Sequence, residues 1–113
     1  MKAEKTKAQM RKGVLELCIL STIAQQDAYA SDIIRNLKSA DLIVVEGTLY
    51  PLLTRLKNAG LLEYQWQESK SGPPRKYYRL THAGKEMLEV LKKDWYNLQR
   101  QVNQLLESKQ ENQ

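Results

Sequence analysis

The sequence predicts an α+β fold that is mainly α-helical, with three helices, a β-hairpin and one long last helix. Three observations lead to this fold. The 113 residues have about the length of one domain. Apolar residues recur at helical spacing before residue 60 and after residue 81, and residues 62–80 alternate like two strands around a proline pair. Hydrophobic residues at 42% and charged residues at 27% are ordinary globular values, which indicate neither a disordered chain nor a membrane protein.

Two helices are predicted in the first forty residues. The nearly continuous apolar segment VLELCILSTI is too long for an ordinary strand and favours a buried first helix from about Thr6 to Gln25. The segment SDIIRNLKS has isoleucine and leucine on one face at helical spacing. Ser31 is placed to cap this short second helix.

A third helix is predicted to begin near Gly47 and to end at Gly60, which suits a left-handed helix cap. Pro51 is expected in its first turn, where backbone N–H groups have no helical partner. One face is leucine, and the other carries Thr48, Tyr50, Pro51, Thr54, Arg55, Lys57 and Asn58. Several of these side chains suit base edges and phosphates. An ordinary solvated helix face is the alternative.

A β-hairpin should follow, with strands Leu62 to Gln67 and Lys76 to Leu80. Alternation predicts that Leu62, Tyr64 and Trp66 face the core. The intervening segment ESKSGPPR is too long for a two-residue turn, and its prolines should stiffen it. We expect this tip to present Lys70, Arg75 and Lys76 outward.

The last helix is predicted from a cap at Thr81 to about Ser108. Its apolar residues recur at alternating steps of 3 and 4 and form a heptad stripe: Leu88, Leu91, Trp95, Leu98, Val102 and Leu105. So small a domain cannot cover this stripe alone. The stripe therefore predicts packing against the first helix and against a second copy of the chain, in a symmetric homodimer.

The net charge of +5 is concentrated in two patches. One is a basic N-terminal arm, and the other follows the hairpin from Lys70 to Lys85. Such a polarised surface suits a polyanion. We expect two units: residues 1–80 as a DNA-binding domain with a basic N-terminal arm, and residues 81–113 as a dimerisation helix and tail.

Three helices followed by a hairpin, with a polar third helix and a cationic tip, predict a winged helix-turn-helix with a long C-terminal dimerisation helix. In that fold the third helix enters the major groove of double-stranded DNA, and the wing reaches phosphates. A winged-helix module for protein-protein interaction, without specific DNA binding, is the alternative.

Two segments resemble the signature of the PadR family of transcriptional regulators: EGTLYPLLTRLKNAGLLEY from residue 46 and GPPRKYYRLTHAGKE from residue 72. RKGVLELCILSTI and YASDII also fit the family pattern, so the resemblance covers about Arg11 to Leu106. It implies a homodimeric, DNA-binding repressor that responds to small molecules, of the shorter type with a single C-terminal helix. We expect its operator to be an inverted repeat.

Combining the resemblance with the polar helix face and the cationic tip gives the candidate DNA-binding residues: Thr48, Tyr50, Pro51, Thr54, Arg55, Lys57, Lys70, Gly72, Arg75 and Lys76. Leu49 is left out because its spacing turns it inward. Pro73 and Pro74 depart from the family, where an arginine or a second glycine is frequent at the tip. Asp27 and Ala28 stand where a glycine is frequent.

Little in the sequence favours catalysis or metal binding. His82 is the only histidine and Cys18 the only cysteine, so neither a metal site nor a catalytic triad has its usual residues. We expect no enzyme activity, no cofactor and no metal, with His82 an exposed polar residue and Cys18 a small core residue. The basic N-terminus lacks the apolar stretch of a signal peptide, which predicts a cytoplasmic protein.

The two tryptophans each have two interpretations. Trp66 and Trp95 are expected to pack, in the hairpin and in the helix stripe respectively. In the functional interpretation Trp95 lies near the dimer axis and stacks on a small, flat aromatic effector, as the resemblance implies for multidrug-responsive members of the family.

Overall fold

Five helices and one antiparallel hairpin make up residues 2–111, the part of the chain that the computed structural model describes. In chain order they are α1 (Lys2–Lys12), α2 (Leu15–Gln25), α3 (Ala30–Ser39), α4 (Glu46–Asn58), β1 (Leu62–Ser69), β2 (Gly72–Leu80) and α5 (His82–Glu111). This architecture confirms the predicted fold class. No helix among these residues is both long enough and apolar enough to cross a membrane.

The predicted continuous helix from Thr6 to Gln25 is wrong. The chain turns at Gly13 and Val14, so α1 and α2 are separate helices. Glycine costs about 1 kcal/mol relative to alanine in a helix interior. Because α1 has no buried residue, no core packing offsets that cost. By contrast, α2 places Ile19 and Leu20 fully in the core.

The start of α3 also differs from the prediction. The cap position is Tyr29 rather than Ser31, and the Tyr29 N–H donates a 3.0 Å hydrogen bond to the carboxylate of Asp32. Partial burial by itself would raise the pKa of Asp32. Hydrogen bonds from the Tyr29 N–H and from Arg35, with the charges of Arg35 and Arg75, nevertheless hold this pKa below its ordinary value.

Helix α4 begins one residue earlier than predicted and ends at Asn58, and the predicted left-handed residue follows at Gly60, whose φ is 79°. Pro51 is consequently its sixth residue and not part of its first turn, so that expectation is wrong. A proline here removes the N–H that would bond to the carbonyl of Gly47. Three leucines of this helix, Leu49, Leu53 and Leu56, lie in the core.

The hairpin strands are longer than predicted. Lys70 and Ser71 alone form the turn, and both prolines lie within β2, which contradicts the expected eight-residue tip. The ladder pairs Gln67 with Arg75 and Ser69 with Gly72. Between these pairs two prolines therefore oppose one residue, Glu68. This bulge on an exposed edge admits residues that cannot donate a ladder hydrogen bond.

One threonine joins the end of α4 to the start of α5. The Thr81 hydroxyl donates a 2.6 Å hydrogen bond to the Gly60 carbonyl and accepts one of 3.0 Å from the Gly84 N–H, which confirms the predicted cap. The backbone of Gly84 also lies very close to Leu61. A Cβ added to Gly84 would be 2.1 Å from the Leu61 carbonyl oxygen. The first turn of α5 is thus fixed on the α4–β1 junction.

The heptad stripe of α5 changes its surroundings along the helix. Leu88 belongs to the core at 6% exposure, and Leu91 packs against that core. Further along, Leu98 is 46% exposed, Val102 43% and Leu105 75%. Within the single chain, the second half of the stripe is therefore uncovered.

Candidate nucleic-acid interface

Helix α4 presents its polar face outward. Its leucine stripe packs on α3 and on the hairpin, which leaves the candidate residues exposed: Thr48, Tyr50, Pro51, Thr54, Arg55 and Lys57. Leu49 is fully buried, in line with its exclusion from the candidates. The helix therefore offers hydroxyl, phenol and guanidinium groups on one convex surface.

The two flanks of α4 have different neighbours. On one flank, the Lys57 ammonium lies 5.9 Å from the ring centre of Tyr64 in β1. On the other, the Arg55 guanidinium pairs with the carboxylate of Glu16 in α2. Arg55 is therefore an exposed side chain that already has an anionic partner. Any phosphate or base that binds it must compete with Glu16.

A groove of about 460 Å³ lies between α4, the start of α3 and the hairpin, and we call it the wing groove. It brings together residues from α3 and its cap, from α4 and from both strands: Tyr29, Ala30, Ser31, Glu46, Tyr50, Trp66, Pro73, Pro74, Arg75, Lys76 and Tyr78. The set contains four aromatic rings and two cations, with one carboxylate at Glu46. Such a lining suits a sugar-phosphate backbone, which offers apolar edges and negative charge.

Arg75 of the wing lies over an aromatic ring. Its guanidinium carbon lies 3.9 Å from the ring centre of Tyr29, and Tyr29 in turn lies 4.8 Å from the ring of Tyr77. The Ala28–Tyr78 bridge, with hydrogen bonds of 3.0 and 2.8 Å, brings Tyr29 to the hairpin. Arg75 is thus exposed but preorganised, whereas Lys70 and Gly72 are exposed at the turn.

Lys76 and Trp66 differ from their predicted positions. Lys76 was expected to point outward but is half-buried, with its ammonium 4.6 Å from the Tyr64 ring and 5.5 Å from the Trp66 ring. Trp66 was expected to face the core and is 62% exposed. Alternation places it on the inner face of the hairpin, but that face extends beyond the core at residue 66.

Sequence reasoning missed Tyr29 and Trp66 as members of the site. Tyr29 reaches the wing only through the bridge between Ala28 and Tyr78, which are fifty residues apart in the chain. No local pattern signals such a pairing. For Trp66 a signal existed, since a tryptophan beside a cationic tip resembles a surface that binds nucleic acid.

A second groove, of about 520 Å³, lies between α2, α5 and the end of α3, on another side of the chain. We call it the α2–α5 groove, and its lining includes Leu17, Cys18, Thr22, Leu88, Trp95 and Tyr96. Trp95 is half-buried there. Cys18 is half-buried rather than fully in the core, and burial raises the pKa of its thiol.

His82 is exposed, with its Nε2 atom 2.8 Å from the Glu86 carboxylate.

Comparison with known proteins gives consistent matches. Residues 19–90 match the family described as the transcriptional regulator PadR-like family. An X-ray structure of a PadR-like transcription factor from Bacteroides fragilis is 58% identical, with a TM-score of 0.76 over 89% of this chain and 98% of that chain. A PadR family transcriptional regulator from Eggerthella lenta is 33% identical, with a TM-score of 0.86 over 93% and 92% of the two chains.

An uncharacterized protein from Lysinibacillus sphaericus is also similar. It is 31% identical over 99 residues, which span 85% of this chain and 91% of that protein. The family match includes α3, α4 and both strands in full, together with most of α2 and the first nine residues of α5.

Proposed function

The chain belongs to the PadR-like family of transcriptional regulators, and on that premise we propose that it is a sequence-specific DNA-binding repressor. It acts as a homodimer on an inverted-repeat operator and responds to a small effector. One observation carries the DNA-binding part: the exposed polar face of α4 adjoins the cationic and aromatic wing groove. The family and its structural relatives are transcription regulators rather than enzymes.

The dimensions of α4 support its role as the recognition helix. Its 13 residues span roughly 20 Å, and a helix with side chains is about 10–12 Å across. The major groove of B-DNA, about 12 Å wide, admits such a helix. Tyr50 and Thr54 are then placed to reach base edges. Arg55 can also reach them once its guanidinium leaves the Glu16 carboxylate and binds the DNA instead.

The wing supplies contacts to phosphate. Lys70 at the turn and Arg75 beside it are exposed cations, and stacking on Tyr29 holds Arg75 in place. A side chain that is already ordered loses less entropy on binding. These contacts add affinity without reading sequence, whereas the α4 side chains provide the preference for an operator.

The uncovered half of the α5 stripe supports dimerisation. We propose that residues 1–80 bind DNA and that residues 81–113 join two protomers about a two-fold axis. A two-fold dimer places two recognition helices on half-sites about one helical turn, or roughly 10 bp, apart. This arrangement accounts for an inverted-repeat operator.

Removing the wing cations tests the DNA-binding proposal. With Arg75→Ala and Lys76→Ala together, we expect weaker binding to operator and to unrelated duplexes alike. The slope of log K against log salt should fall by about one unit for each phosphate that the variant no longer neutralises, because fewer counterions are released. Filter binding or fluorescence anisotropy at several salt concentrations measures both quantities.

Two matched variants make this test specific. Arg75→Lys keeps the charge and removes the planar group that stacks on Tyr29, so it should keep most of the salt slope. Lys93→Ala removes an exposed cation from α5 and should change neither quantity. An unchanged affinity and slope in the double wing variant would exclude the wing as a phosphate-binding element. A wild-type protein that retains no duplex at low salt would instead favour a protein-interaction module.

The α2–α5 groove supports a site for the effector. Trp95 and Tyr96 offer aromatic surface there, and the uncovered α5 stripe continues from it toward the proposed dimer axis. A flat, partly aromatic compound would stack on Trp95. It weakens DNA binding only if it prefers the protomer spacing that misplaces the two recognition helices.

Fluorescence titration tests this site. Planar cationic dyes and phenolic acids should quench Trp95 while operator affinity falls in parallel. Trp66→Phe should keep the quenching because it leaves Trp95 as the remaining tryptophan, and Trp95→Ala should abolish it in a dimer that still binds DNA. If no such compound perturbs fluorescence or operator binding, Trp95 serves packing alone.

A further inference from the structure

Helix α1 is an exposed cationic helix that core packing does not explain. It carries Lys2, Lys5, Lys7, Arg11 and Lys12 against a single acid, Glu4, and none of its residues is buried. A helix of 11 residues is marginal in water without a packed face. Its composition suits a polyanionic surface better than an apolar one, since charged residues are depleted at the core of protein interfaces.

The end of α1 lies beside the start of the recognition helix. Arg11 and Lys12 line one cleft of about 210 Å³ together with Thr48 of α4. The rest of its lining is apolar: Ala8, Leu15, Leu42, Ile43, Val44 and Val45. Thr48 is one of the exposed candidates for DNA contact. The cationic end of α1 is therefore continuous with the proposed DNA-binding surface.

Helical geometry places α1 on the flank of α4 opposite the wing. Residues two apart in a helix are separated by about 200° around its axis, and residues seven apart return to nearly the same side. Tyr50 and Lys57, seven apart, adjoin the wing through the wing groove and through Tyr64. Thr48 and Arg55, also seven apart, adjoin the α1–α2 side through Arg11 and Glu16.

We propose that α1 is a second phosphate-binding element, in which Arg11 and Lys12 contact the DNA backbone across α4 from the wing. This inference rests on the proposed DNA binding. A helix in the major groove has a phosphate strand on each side, and the wing cations are placed for only one of them. The occupant is duplex DNA, chosen by charge complementarity and by continuity with α4. The contact adds affinity and salt dependence but no sequence preference.

The test removes the two charges at the end of α1. The double variant Arg11→Gln with Lys12→Gln should bind operator and unrelated duplexes more weakly by a similar factor, on the order of tenfold or more at moderate salt. Because each protomer of a dimer would then neutralise two phosphates fewer, the salt slope should fall by about four units. Combined with the wing substitutions, the decreases in slope should add, because the two elements bind different phosphates.

Phosphate-ethylation interference gives the second readout. Ethylation of the contacted phosphates should block DNA binding by the wild-type protein. In the α1 variant, ethylation of one set of these phosphates should no longer weaken binding, and in Arg75→Ala a different set should lose its effect. Lys93→Gln with Arg100→Gln removes the same charge from exposed positions of α5 and should change neither slope nor interference pattern. Arg11→Lys with Lys12→Arg keeps both charges and should behave like wild type.

Each contrary outcome has its own meaning. If wild type binds its operator and the α1 variant keeps the full slope, the α1 proposal is overturned and the proposed function stands. If the α1 variant sediments as a monomer, α1 belongs to the interface between protomers and the proposal is equally overturned. If wild type binds no DNA, the proposed function itself fails. Circular dichroism should show a folded variant, because no side chain of α1 is buried.

Discussion

Replacing Leu98 with aspartate is expected to convert the dimer into folded monomers. Leu98 is nearly half exposed in the protomer, so a carboxylate there is tolerated by the isolated chain. In the proposed dimer the same position meets its partner across the α5 stripe, and an unpaired buried charge costs about 3–5 kcal/mol. Since every 1.4 kcal/mol is about tenfold in an equilibrium constant, dimer affinity should fall by two to three orders of magnitude or more.

Sedimentation equilibrium at micromolar concentration measures this fall in affinity, and far-ultraviolet circular dichroism checks that the monomers are folded. Val102→Asp should act in the same way, because Val102 lies one turn further along the stripe. Gln104→Glu adds a negative charge to an exposed position off the stripe and should leave the dimer intact. A wild-type protein that is monomeric at micromolar concentration would contradict the assignment of the stripe.

Gly84→Ala is expected to cause a large decrease in folding stability. The added Cβ would overlap the carbonyl oxygen of Leu61, and that oxygen also accepts the Thr81 N–H at 3.1 Å. Relief of the clash requires backbone movement at the α4–β1 junction and not merely a side-chain rotation. Overpacking of this kind costs about 1–3 kcal/mol and occasionally more. Urea unfolding at a fixed protein concentration gives the difference.

Gly47→Ala is the matched control for this substitution. Apart from the neighbouring residues and the backbone of α4, no atom lies within 4 Å of a Cβ added at Gly47, and alanine is favoured over glycine in a helix, by up to about 1 kcal/mol in its interior. The control should therefore raise the urea midpoint while Gly84→Ala lowers it. Equal midpoints for Gly84→Ala and wild type would show that the junction is not closely packed in solution.

The elements that the sequence predicts well are those with local signals. Helix α4 is indicated by a leucine stripe and a terminal glycine, and α5 by its heptad pattern and the cap at Thr81. Boundaries that depend on tertiary contacts are predicted poorly. The break at Gly13 follows from the absence of packing around α1. The two prolines enter a strand because a bulge opposite Glu68 accommodates them.

The candidate site is predictable in outline but not in detail. Spacing alone indicates the exposed face of α4 and the cationic wing. It does not indicate that Arg55 pairs with Glu16, that Arg75 stacks on Tyr29, or that Lys76 lies among aromatic rings. Each of these contacts joins elements that are distant in the chain. Such contacts decide whether a cation is free, preorganised or already paired.

Helix α5 is long and is held at one end, near Thr81, so a small rotation at that end moves its far end by a large distance. The helix has 30 residues and is therefore roughly 45 Å long. Its first turn is fixed to the end of α4 through Thr81 and Gly84. A tilt of about 5° at this pivot displaces the far end by roughly 4 Å over that length. In the proposed dimer, a shift of several ångströms where the two α5 helices meet would correspond to a rotation of only a few degrees at Thr81, next to the end of α4.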